Sequence, residues 1–123
     1  MKTLVINGSA RPNGHTSKMI KLFLENLGGE YEIFDAYRVN VAPCKDCRYC
    51  WYKKGCSIKD DMQEIYEKVE AADNLVLASP MYFHSVTGKM KTLLDRFQIY
   101  WAGHVMRHDV PETTVRKGAI LMV

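Results

Sequence analysis

Short apolar runs alternate with longer stretches in which apolar residues recur every three or four positions, the pattern of strands alternating with helices around a parallel sheet. Thr3 to Ile6 is a continuous run suited to a strand buried on both faces. After a polar stretch from Asn7 to His15, Met19, Ile20, Phe23, Leu24 and Leu27 mark one face of a helix. That helix begins near Thr16 and stops at Gly28-Gly29. Tyr31 to Ala36 predicts the second strand. Asp60 then opens a helix with Gln63 three residues on, as in a capping box, and with Met62, Ile65, Tyr66 and Val69 on its apolar face. Leu75 to Ala78 predicts the third strand, ended by Ser79-Pro80. Met90, Leu93, Leu94, Phe97 and Trp101 predict one further helix, and a polar stretch from His104 to Thr114 leads to a fourth strand within Gly118 to Val123. Right-handed crossovers give the strand order 2-1-3-4, with a ligand site beyond the carboxyl ends of strands 1 and 3.

The 123 residues are enough for one domain, 1–123, and not for two. With 47% hydrophobic and 25% charged residues, a core forms without disulfide staples. A net charge of +3 is spread along the chain, and the adjacent basic pairs Lys53-Lys54 and Arg116-Lys117 make no stripe, so no nucleic-acid partner is expected. The apolar run after Met1 is too short for an export signal, and no segment approaches the ~20 apolar residues of a membrane span. The expectation is a cytoplasmic protein with reduced cysteines and no membrane partner.

Both loops that reach the expected ligand site are unusual. The first, Asn7 to Ser17, is rich in glycine and hydroxyls and runs into a helix amino terminus, where unpaired N–H groups and the helix dipole favour an anion. Ser9, Arg11, Thr16 and Ser17 could complete a phosphate cradle. Its spacing excludes a nucleotide P-loop, because five residues separate Gly8 from Gly14 and His15 stands where lysine is required. A polar turn with a threonine cap is the alternative. The second loop, Ala78 to Gly88, carries Pro80, Met81, Tyr82, Phe83, His84 and Ser85. Its aromatic residues could wall a flat ligand, or else cap the end of the sheet.

The run Gly8-Ser9-x-Arg11-x-x-Gly14-x-Thr16-Ser17 resembles the FMN-phosphate loop of the NADPH-dependent FMN reductase family, with His15 at a place where asparagine is usual. Ser79-Pro80-x-Tyr82-x-x-Ser85-x-x-Gly88, followed by Lys89-Met90-Lys91 and by Asp95-Arg96, resembles the same family's loop along the isoalloxazine ring, with His84 where glycine is common. The resemblance implies a flavodoxin-like α/β/α fold, FMN held by Ser9, Arg11, His15, Thr16, Ser17 and Pro80 to Ser85, and electrons from NAD(P)H or a redox protein. It assigns no catalytic side chain, because the cofactor performs the chemistry. Asp95 and Arg96 point in different directions on a helix and are expected to make separate structural or subunit contacts.

All four cysteines fall in the loop 43–57, as Cys44-x2-Cys47-x2-Cys50-x5-Cys56. Four thiolates so close together can converge on one centre. The spacing resembles the iron–sulfur flavoprotein branch of the same superfamily, which implies a [4Fe-4S] cluster on these four residues; Asp60-Asp61-Met62 after it resembles the wider superfamily. Free or redox-active thiols and a closed zinc site remain alternatives. Tyr49, Trp51 and Tyr52 could shield the site, meet a partner subunit or simply pack the loop.

Compared with the family, the chain is expected to be incomplete at its carboxyl end, lacking strand 5. An apolar strand 4 is then left at a sheet edge, which calls for a homo-oligomer or another partner. The rival to an FMN oxidoreductase is a non-catalytic flavodoxin-like scaffold.

Overall fold

The computed structural model describes residues 1–109 and 117–123. Arg116 and the 110–114 part of the expected polar stretch lie outside the described residues. β1 (Lys2–Asn7) is buried along nearly its whole length because it pairs on both sides, in parallel with β2 (Glu30–Asp35) and with β3 (Asn74–Ser79). β3 pairs in parallel with β4 (Lys117–Met122), so the sheet order is β2-β1-β3-β4, the doubly wound order expected.

Five α-helices are described: α1 (His15–Leu27), α2 (Tyr49–Tyr52), α3 (Met62–Ala71), α4 (Gly88–Asp95) and α5 (Gln98–Ala102), with a π-helical turn over Gly103–Arg107. Alternation along the strands divides the core. Val5, Val76 and Ala78 pack with Ile20 and Leu24 of α1 on one face. Leu4 and Ile6 pack with Met62, Ile65, Tyr66, Met90, Leu93 and Ile99 from α3, α4 and α5 on the other. Gly28 ends α1 with φ at 73°, its N–H bonded to Leu24 O at 3.0 Å, as the glycine pair predicts. β4 exposes Ile120 to 70%, the apolar edge expected of strand 4.

Three expectations need correction. No capping box forms at α3: Gln63 Nε2 donates to Ile58 O at 2.8 Å, and Asp60, ahead of the helix, accepts from Met62 N through Oδ1 at 3.0 Å with both carboxylate oxygens also bound to Arg96. The helix read from Met90 to Trp101 is broken. Arg96 N and Phe97 N bond to Leu93 O and Leu94 O, tightened three-residue turns that separate α4 from α5. Trp101 therefore leaves the core stripe and is half exposed, and Ile99 and Ala102 are buried in its place. Finally, α2 arises inside the cysteine loop, where no periodicity announces it.

Candidate functional site

Two loops leave the carboxyl ends of β1 and β3 and are bolted together. Gly8 N donates to Ala78 O at 2.7 Å, and Thr87 Oγ1 donates to Gly8 O at 2.7 Å. Thr87 also caps α4, accepting from Met90 N at 3.3 Å, and its own N–H reaches Ser79 Oγ at 3.2 Å. A Cβ on Gly8 would lie 2.9 Å from Met90 Cβ and 3.1 Å from Ser79 Oγ, so the crossing is open only to glycine. Asn7 Nδ2 donates to Asp35 Oδ1 at 2.8 Å while Asn7 Oδ1 accepts from Ser9 N at 3.0 Å, which turns the chain off the sheet.

Beyond that turn, Arg11 N donates to Ser9 Oγ at 3.2 Å. Arg11 and His15 are exposed, Ser17 is half-buried and Thr16 is buried. The threonine-cap alternative does not hold: Gly14 occupies the N-cap, no side chain caps α1 and its first turn has no acidic residue. The positive end of the dipole is thus left without an anionic partner from α1 itself, which fits a phosphate group.

The second loop closes on Tyr82 and Ser85, which exchange backbone bonds of 2.8 and 3.1 Å. At the tip, Phe83 and His84 take left-handed conformations with φ of 41° and 69°, a strain of about 1–3 kcal/mol each for residues with a Cβ. The glycine common at the place of His84 suits that backbone. Phe83 is 96% exposed, and Met81 and Tyr82 are exposed beside it, so Phe83 caps no core. Pro80 is half-buried, Ser85 exposed. An apolar, strained turn in open solvent, tied to a helix amino terminus, has the chemistry to receive a flat ring with an anionic tail.

The third loop, after β2, carries the cysteines. All four are free thiols, Cys44 and Cys47 exposed, Cys50 and Cys56 half-buried. They line one pocket together with Arg48, Trp51, Ser57, Arg96 and Ile99. The Ser57 hydroxyl, 3.1 Å from Cys47 Sγ, holds that thiol below its ordinary range, and burial pushes the Cys50 thiol up. Among the described residues, no three Cys, His, Asp or Glu side chains converge as a metal site. The sulfurs share a pocket without meeting at one centre; the four thiols are a donor set that fits a four-thiolate centre, and Asp46, Asp95 and the Ser57 hydroxyl line the same pocket. Trp51 lies over Trp101 with ring centroids 6.2 Å apart and under the Arg48 guanidinium at 4.6 Å, so it packs α2 onto α5, while Tyr52 faces solvent.

The neck of this loop is fixed by Asp60, Asp61 and Arg96. Asp61 Oδ2 accepts from Asn40 N at 2.7 Å and Asp60 Oδ2 from Ala42 N at 2.8 Å. Arg96, 2% exposed, bonds both carboxylate oxygens of Asp60 at 2.7 and 3.1 Å. Burial opposes the charge on Asp60, yet these bonds from Arg96 and from the Ala42 and Met62 amides hold its carboxyl below the usual range. Asp95 instead pairs with Lys91 on the surface. The two residues do make separate structural contacts. Thr87 and Asn7 carry no role in the sequence reading, and Asp60 only those of a helix start and a motif residue, although a threonine just ahead of a glycine-opened helix is a readable cap signal.

A family model for NADPH-dependent FMN reductases matches residues 1–111. The chain is 34% identical over 113 residues to an iron-sulfur flavoprotein of Methanocaldococcus jannaschii, covering 89% of this chain and 58% of that protein. It is 38% identical over 123 residues to an iron-sulfur flavoprotein of Archaeoglobus fulgidus, covering 96% of this chain and 60% of that one. The chain therefore spans somewhat over half the length of these relatives. Among solved structures, an NAD(P)H:quinone oxidoreductase from Methanothermobacter marburgensis superposes with a TM-score of 0.75 at 18% identity, over 99% of this chain and 64% of that one. That likeness makes the fold flavodoxin-like. No described helix is long and apolar enough to cross a membrane.

Proposed function

The chain belongs to the NADPH-dependent FMN reductase family, and on that premise we propose that it is an FMN-binding electron-transfer oxidoreductase whose cysteine loop serves the same redox site. The observation that carries the proposal is the pair of loops joined through Thr87 and Gly8. One presents the uncapped start of α1 and the other an exposed aromatic turn.

In this reading the first amides of α1, with Ser9, Arg11, His15, Thr16 and Ser17, hold the phosphate. Pro80 to Ser85 support the ring through backbone groups and the Tyr82 and Phe83 side chains. Cys44, Cys47, Cys50 and Cys56 provide four sulfur ligands. Bound FMN would supply two-electron acceptance from a donor such as NAD(P)H and one-electron exchange, and a bound [4Fe-4S] cluster would supply single-electron transfer. The residues themselves bind, orient and exclude water; none is asked to move a proton. Four free thiols suit a reducing compartment such as the cytoplasm. The exposed apolar β4 suits a homo-oligomer or a further covering segment.

The test is an FMN titration followed by flavin fluorescence, with a Ser9→Ala/Arg11→Ala double variant alongside. Micromolar or tighter binding by the parent and at least tenfold weaker binding by the variant supports the assignment. Equal affinity of the two removes the phosphate loop from it. NAD(P)H oxidation with added FMN separates an oxidoreductase from a scaffold, which would show none.

A further inference from the structure

Two buried arginines converge on the cysteine loop, and neither is used in the flavin reading. Arg96 Nη1 donates to Ala42 O at 2.9 Å and its Nη2 to Ile58 O at 3.3 Å, so one guanidinium holds the residues just before Cys44 and just after Cys56. Arg107, in the π-helical turn, has a side chain only 6% exposed. Its Nη1 donates to Cys50 O and, at 3.4 Å, to Lys53 O, so it holds the middle of the loop at α2. Asp109 orients Arg107 by accepting from Nε at 2.8 Å. Entry, middle and exit are each pinned by a cation arriving from the far side of the sequence.

The charges are incompletely used. Arg96 Nε and Arg107 Nη2 are buried and have no hydrogen-bond partner among the described residues. Asp60 neutralises Arg96, but the Asp109 carboxylate that faces Arg107 is half exposed and screened by water. Leaving charged N–H groups buried without a partner is costly unless an anion completes the site. A centre of four thiolates around iron carries net negative charge, and the Arg107 guanidinium sits on the backbone carbonyl of Cys50, one of the four. A π-helical turn at this place is the kind of local irregularity that recurs where a side chain has to be aimed.

We propose that Arg96 and Arg107 are positioning residues of the cysteine pocket: they pin the loop so that its four sulfurs face one anionic centre, and Arg107 supplies positive charge that favours reduction of that centre. This rests on the four-thiolate reading given above. Reduction adds one electron from an external donor to the oxidised centre, with no bond made or broken at the protein. A neighbouring cation stabilises the added negative charge, so removing it lowers the midpoint potential.

The experiment uses the full chain, reconstituted anaerobically with ferrous iron and sulfide, in wild-type, Arg107→Lys and Arg107→Met forms, with Arg107→Gln as a second neutral replacement should Arg107→Met fail to fold. Iron and sulfide per chain and the midpoint potential, by dithionite titration, are read for each. The expected result is a potential in the neutral variant lowered by at least about tenfold in the reduction equilibrium, ~59 mV for one electron. Arg107→Lys keeps the potential near wild type but holds less iron, because one ammonium cannot hold the loop carbonyls and the Asp109 carboxylate at once, as Nη1 and Nε of the arginine do. A neutral variant with unchanged iron content and unchanged potential overturns the proposal alone. A wild-type chain that takes up no iron overturns the four-thiolate reading and this proposal with it.

Discussion

Thr87 Oγ1 donates to the carbonyl oxygen of Gly8 at 2.7 Å, joining the loop after β1 to the loop after β3 at a fully buried point. One hydroxyl closes that crossing and caps α4. Thr87→Val removes both roles at nearly constant volume and leaves Gly8 O unsatisfied. The expected loss is about 1–3 kcal/mol of folding stability by urea denaturation, with weaker FMN binding.

Gly8→Ala places a methyl 2.9 Å from Met90 Cβ, and both atoms belong to rigid parts of the fold. Overpacking of this kind destabilises by about 1–3 kcal/mol. A melting temperature unchanged from wild type contradicts the tight crossing.

Phe83→Ala separates binding from folding. A ring 96% exposed contributes almost nothing to stability, so the variant should unfold within about 0.5 kcal/mol of wild type. An aromatic contact with a flat ligand is worth about 0.5–1.5 kcal/mol, so FMN affinity should fall by up to roughly tenfold. The two readouts are thermal unfolding and flavin fluorescence titration.

The Asp60 carboxyl titrates below its ordinary value in the folded chain because Arg96 and two backbone amides bind its charged form. A depressed folded pKa means stability that is fully present above the unfolded value of 3.8 and is lost as pH falls through the folded one. Stability of the wild-type chain should therefore drop below about pH 4, and Asp60→Asn should flatten that part of the curve. Arg96→Met, which strands the buried carboxylate, should cost about 3–5 kcal/mol at neutral pH.

Much of this fold was legible because burial on both faces writes itself as unbroken apolar runs: Thr3 to Ile6 and Leu75 to Ala78 fall inside the two central strands. The stripe over Met90 to Trp101 misled because periodicity carries no mark of a break caused by a distant partner. Arg96 is held by Asp60 and by carbonyls more than thirty residues away, and the helix tightens there. The same long-range demand took Asp60 out of the capping box. The left-handed turn at Phe83 and His84 was largely hidden, since a phenylalanine gives no sign of positive φ and a histidine only a weak one. The cysteine spacing announced a shared pocket but not the arginines that hold it, because those arrive from the residue that ends α4 and from the π-helical turn.

The most direct test of the central claim is the visible absorption spectrum of the anaerobically purified 123-residue chain, with iron and acid-labile sulfide measured on the same sample. Two flavin bands over a broad iron–sulfur shoulder are expected, and flavin bands without iron would retain the FMN site while removing the cluster. A sample that stays colourless after FMN and cluster reconstitution contradicts the account and leaves a flavodoxin-like scaffold in its place.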